Sequence, residues 1–154
     1  MKYLFFDIEC ANCNDRRGKI YSFGYIIADE GLNVIEDEKD IVMNPDVDKW
    51  DWYVLKNILA YSKKEVESKS KFNKHYNKIK RLLEDEETIV CGFSVKDDVG
   101  YILDECERYK LEPIKIRFFD IQRLEAKISG SDNKGLGEAY ISWCKQLLLG
   151  AHRS

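Results

Sequence analysis

Lys2-Tyr-Leu-Phe-Phe-Asp-Ile-Glu9 is the stretch on which the reading of this chain turns. Four consecutive large apolar or aromatic residues, Tyr3 to Phe6, run into two carboxylates separated by a single Ile. So short an apolar run, built from side chains suited to a pleated surface, predicts a strand buried on both faces. Side chains alternate along a strand, so Asp7 and Glu9 share one side, with their Cα atoms roughly 6–7 Å apart. Like charges at the end of a buried strand repel each other and lose hydration. A hard divalent cation removes both costs, because such ions favour carboxylate oxygen. Two readings stay open from this stretch alone: a metal-binding pair, or a strand that ends at Asp7 with both acids in water.

The chain has 154 residues, enough for one domain with a sizeable core. Hydrophobic residues make up 44% and charged residues 34%, an ordinary globular balance. A net charge of −3 gives no global positive field, so any binding of nucleic acid must rest on a local patch or on bound metal. The opening Met-Lys-Tyr-Leu-Phe-Phe has the look of an export signal, but Asp7 cuts the apolar run too early for one. No other segment has the length needed to cross a membrane. Five cysteines, an odd number without an export signal, point to free thiols in a reducing cytoplasm. Cys10 and Cys13 form a Cys-x-x-Cys, but no second pair completes a zinc site.

Downstream, Lys19 to Asp29 is rich in aromatic and β-branched residues and predicts a second strand. Val34 to Met43 gives a third, more polar strand at an edge. The connections are too short for crossover helices, so these three strands form an antiparallel meander. Trp50, Trp52 and Tyr53 cluster in an irregular segment; such rings either pack over a core or stack on unpaired bases. Ser62-x-x-Glu65 is a capping-box signature that opens a predicted helix running to about Leu83. Its outer face carries eight Lys or Arg residues, read as a solvated face. Thr88 to Phe93 predicts a fourth strand, Asp97 to Tyr109 a helix and Lys115 to Phe119 a fifth strand. A short helix over 120–128, a loop and a final helix to about Leu149 complete an α/β domain.

Further acids bear on the first pair. In the helix that follows the fourth strand, Val99, Ile102, Leu103 and Cys106 cluster on one face. On that wheel Asp97 lies nearly opposite the buried face, whereas Asp98 lies on its border and can look toward the sheet end. Ser94 or either acid also suits a helix cap. Of the two histidines, His75 falls in the lysine-rich helix and reads as structural, and His152 lies near the end of the chain.

Together these residues resemble the DEDD exonucleases of the ribonuclease H-like superfamily, the group of polymerase proofreading subunits and ribonuclease T. Phe6-Asp7-Ile8-Glu9 is similar to the first motif, Asp-x-Glu on the first strand. Cys91 to Ile102 resembles the second motif, with its Asp at Asp98. Phe118-Phe-Asp120-Ile121 is similar to the family's fifth strand, and Gly150-Ala-His152-Arg-Ser154 resembles the start of the third motif in the histidine-type (DEDDh) branch. The resemblance implies a five-stranded mixed sheet, its first three strands antiparallel, flanked by helices. It also implies a two-ion Mg²⁺ or Mn²⁺ site held by Asp7, Glu9 and Asp98, with His152 as general base. The implied reaction is 3′→5′ hydrolysis of a DNA or RNA strand from its single-stranded 3′ end, releasing nucleoside monophosphates. Two departures stand out. Ser94 occupies a position where the family often has Asn. The third motif also calls for an Asp five residues after its His, and the chain stops at Ser154. The expectation is one exonuclease-like domain over 1–154 that lacks its C-terminal end, which leaves this form inactive.

Two competing readings make different demands. A haloacid-dehalogenase-like phosphatase also opens with an apolar strand ending in Asp, but requires a second Asp two residues on and a parallel sheet. A binding or regulatory module would keep the ribonuclease H-like fold without turnover.

Overall fold

The computed structural model describes residues 1–130 and 132–140. Five strands form one sheet: β1 (Lys2–Cys10), β2 (Ile20–Ala28), β3 (Val34–Val42), β4 (Thr88–Gly92) and β5 (Phe118–Asp120). Their order is β3-β2-β1-β4-β5, which places the opening stretch at the centre. β1 pairs antiparallel with β2, and β2 antiparallel with β3. β4 runs parallel to β1, and β5 parallel to β4. This is the mixed five-stranded α/β sheet expected from the sequence, and its antiparallel second strand excludes the parallel phosphatase sheet.

Alternation decides where the core lies. Leu4, Phe6 and Ile8 of β1 are buried with Phe23, Tyr25 and Ile27 of β2. The rings of Phe6 and Phe23 stack at 5.4 Å. Covering this face are two helices, α2 (Phe72–Glu84) and α3 (Lys96–Arg108). They contribute Phe72, Tyr76, Ile79 and Leu83, and Ile102 and Cys106, at helical spacing. The opposite face of β1 differs from expectation. Tyr3 and Phe5 are only half-buried and Asp7 is exposed, so the strand is buried on one face rather than both. A four-residue apolar run leaves that choice undetermined, because both outcomes satisfy the same pattern.

The helix expected from Ser62 to Leu83 is broken. Ser62 Oγ accepts a hydrogen bond from the Glu65 N–H at 3.1 Å and caps α1 (Lys63–Glu67) as its motif implies. Asn44 then takes over the helix's carbonyls: its side chain donates to Glu67 O at 2.9 Å and its N–H to Ser70 O at 3.0 Å. Ser68 Oγ donates back to Glu65 O at 2.5 Å. With these carbonyls engaged, the chain turns through Ser68–Lys71 and restarts as α2. Past β5, α4 (Ile121–Ser129) is capped by Asp120 at its start and by a left-handed Gly130 at its end. The final predicted helix lies mostly outside the described residues, with 136–140 helical. Among the described residues no helix is long and apolar enough to cross a membrane.

Between β3 and α1, the aromatic segment divides. Trp50 is 4% exposed, packs 5.3 Å from Tyr21 and donates its Nε1–H to Glu67 at 3.1 Å. Trp52 and Tyr53 remain exposed beside a short π-helical turn, Val54–Ile58. The packing reading therefore holds for one ring only.

Candidate functional site

Asp7 and Glu9 both leave β1 on the face away from the core, as alternation requires. Across the sheet Asp7 stands opposite Gly24, and Glu9 opposite Ser22. Gly24 in turn stands opposite Asp40 of β3. The row Asp7, Gly24, Asp40 therefore has a gap at its centre. A Cβ at Gly24 would meet nothing nearer than two backbone oxygens at 3.9 Å. These residues floor a cleft of about 760 Å³ whose lining also includes Phe5, Glu38, Phe93, Ile121 and Leu136.

Asp98 comes to Asp7 from α3, the helix that follows β4. It lies in the first turn of α3, half-buried, while Asp97 beside it is exposed. The side chains of Asp98 and Asp7 share a hydrogen bond. The three carboxyls all bind protons more tightly than usual. Burial is the main cause for Asp98, followed by the charge of Asp7, and together they push it up to about 7. For Asp7 burial raises the value, against hydrogen bonding by the Ile8 N–H. For Glu9 burial leads, then the charges of Asp7 and Asp40. Asp98 is the member of the pair that holds the proton. The structure thus brings Asp7, Glu9 and Asp98 together at one sheet end; His152 lies outside the described residues.

Among the described residues no three acidic, histidine or cysteine side chains stand ready as a converged ligand set. The chemistry of the donors nonetheless fits a hard dication. Three carboxyls whose charged forms suffer from burial and from one another gain most from an added positive charge.

Asp40 and Glu38, two acids that the sequence reading passed over, join the same wall. Asp40 accepts a hydrogen bond from Ser22 Oγ at 2.6 Å and another from the Tyr61 hydroxyl. That bond, followed by burial and the Asp40 charge, pushes the Tyr61 phenol up to about 12. Strand pairing brings Asp40 there: once Asp7 faces the cleft, the register carries Gly24 of β2 and Asp40 of β3 onto the same face. His75 sits in α2 and is half-buried, its Nε2 without a partner; it lines a second cleft with Asp40, Tyr61 and Glu65. Cys10 and Cys13 are free thiols, and burial holds the Cys10 thiol far above its usual range.

No protein-family model and no curated protein sequence matches the chain significantly. Solved structures do. Exonuclease I from Methylocaldum szegediense superposes with a TM-score of 0.71 at 18% identity, over 92% of this chain and 35% of that one. A 3′-exonuclease described in 3′-end-specific recognition of a histone mRNA stem-loop gives 0.70 at 13% identity, over 86% and 50%. Exonuclease I of E. coli, in complex with a dT13 oligonucleotide, gives 0.65 at 20% identity, over 82% and 29%. The chain thus spans half or less of the length of each of these structures. At such identities the likeness concerns architecture, and on that ground the chain has the fold of the ribonuclease H-like exonucleases.

Proposed function

We propose that this chain carries a metal-dependent 3′→5′ exonuclease site of the histidine-type DEDD branch. The observation that carries it is the meeting of Asp7 and Glu9 of β1 with Asp98 of α3, far apart in sequence, at the central strand of this fold. Asp7, Glu9 and Asp98 hold Mg²⁺ or Mn²⁺, and His152 serves as general base. When bound, the ions supply Lewis acidity at the scissile phosphate. They also offset the repulsion between an acidic protein and a polyanion.

The remaining chemistry belongs to the chain. Asp7 and Glu9 are fixed by the pleat of β1 and its pairing with β2, and Asp98 by the start of a helix docked on the core. Gly24 leaves the cleft floor open for a sugar and base. The substrate is a single-stranded 3′ end, DNA or RNA, and the products are nucleoside monophosphates.

The test uses protein whose third motif is completed by its Asp: 5′-labelled single-stranded DNA and RNA oligonucleotides are incubated with it and Mn²⁺ or Mg²⁺, and the products are resolved by length. Stepwise shortening from the 3′ end, absent from Asp98→Asn, is the expected result. An intact substrate under all conditions, accompanied by tight oligonucleotide binding, would replace this reading with a non-hydrolytic binding module.

A further inference from the structure

Asp120 is the last residue of β5, and its carboxylate has two obligations. Oδ1 accepts the Gln122 N–H at 3.0 Å, an ordinary cap for α4. The same oxygen accepts the Ser94 N–H at 3.0 Å, from a turn 26 residues earlier in the chain. The sheet makes this possible, because Gly92 at the end of β4 stands beside Asp120 in the parallel pair.

Ser94 belongs to the turn that carries the chain from β4 into α3. It holds a left-handed backbone conformation, φ +55°, which a residue with a side chain adopts only when its surroundings enforce it. α3 cannot supply a partner for the Ser94 N–H, since the helix begins at Lys96 and its Val95 cap position makes no side-chain cap bond. The turn is also tight: a Cβ at Gly92 would stand 2.4 Å from Val95 Cγ2. Val95 is fully buried. The turn is therefore held on one side by the Val95 side chain in the core and on the other by Asp120. Four residues past Ser94, Asp98 meets Asp7.

We propose that Asp120 is a positioning residue that sets Asp98 against Asp7 by holding the Ser94 N–H. Its consequence for metal binding rests on the function proposed above; its consequence for the turn does not. Asn at position 120 keeps an acceptor oxygen at the same reach. Ser keeps a competent cap for α4, but its hydroxyl is too short to hold both N–H groups.

The experiment compares wild type, Asp120→Asn and Asp120→Ser. The first measurement uses the metal-free protein, with amide signals and hydrogen exchange followed by NMR. In Asp120→Ser the amides of residues 94–98 shift and Ser94 loses protection, while α4 stays protected; Asp120→Asn behaves as wild type. The second measurement is Mn²⁺ affinity by calorimetry. Asp120→Ser weakens it by about tenfold or more, and Asp120→Asn by less than about threefold. Wild-type amide behaviour of residues 94–98 in Asp120→Ser overturns the proposal. So does unchanged Mn²⁺ affinity in that variant when wild type binds the ion. If wild type binds no Mn²⁺, the metal reading fails and the amide measurement alone decides this one; if Asp120→Ser does not fold, loss of Ser94 protection or of Mn²⁺ affinity in Asp120→Asn overturns it.

Discussion

Adjacent acids in α3 have opposite surroundings, and single substitutions expose the difference. Asp98 stands against Asp7, and Asp97 faces solvent. In protein with a complete third motif, Asp98→Asn is expected to abolish Mn²⁺-dependent shortening of an oligonucleotide and to weaken Mn²⁺ binding in calorimetry. Asp97→Asn is expected to retain both, and the reverse pattern would shift the site by one residue. Glu105 offers a separate test away from the cleft. It is 1% exposed, and its only hydrogen-bonded cation among the described contacts is Arg108 at 3.3 Å. Burial pushes its carboxyl from 4.5 up to about 7, with Arg108 and Lys19 acting the other way and Asp104 adding to the rise. The folded state then holds the proton more tightly than the unfolded state. Stability is full below about pH 4.5 and is lost as pH rises through about 7, by on the order of 3 kcal/mol. Glu105→Gln should flatten this part of the curve of unfolding free energy against pH. An unchanged slope in denaturant titrations with chelator present would rule out Glu105 as its source.

At the scale of elements, the sequence states strands well and their surroundings poorly. The strands were legible from aromatic and β-branched runs, and the meander from connections too short for helices. The break between α1 and α2 was not, because it depends on Asn44, whose hydrogen bonds to Glu67 and Ser70 join residues more than 20 apart. Asp7, Glu9 and Asp98 could be read from a strand period and a helix wheel. Asp40 could not, since its place beside the cleft follows from the pairing of three strands. Gly24 shows what that pairing adds. A Cβ there clashes with nothing, and a β-branched residue suits the strand, so Gly24→Val should leave the unfolding midpoint unchanged or raise stability by about 0.5–1 kcal/mol. The same side chain projects into the cleft between Asp7 and Asp40. Oligonucleotide affinity, read by fluorescence anisotropy, should fall by about tenfold, or roughly 1.4 kcal/mol. Full affinity in a folded Gly24→Val protein would place the substrate elsewhere.

For the molecule as a whole, the cleft is a site of stored repulsion that the rest of the fold sustains. The core of Leu4, Phe6, Phe23, Phe72, Ile79 and Ile102 fixes β1 and both covering helices. That rigidity keeps Asp7, Glu9 and Asp98 close when their charges oppose it. A site built this way stabilises the protein only when its ligand is present. Without metal above pH 7, Asp98 is charged beside Asp7 in a partly buried place, the condition that raised its proton affinity to about 7. Asn at this position removes the charge and keeps the shape. In chelator at pH 8, Asp98→Asn should therefore be more stable than wild type, by on the order of 1 kcal/mol after allowance for its partial exposure. Saturating Mn²⁺ should reverse the order: at 100 times the dissociation constant it adds about 2.7 kcal/mol to wild type and far less to the variant. Calorimetric melting with and without Mn²⁺ measures both effects at once. A variant less stable than wild type in chelator would show that Asp98 supports the fold, and equal Mn²⁺ shifts in the two proteins would remove it from the metal site.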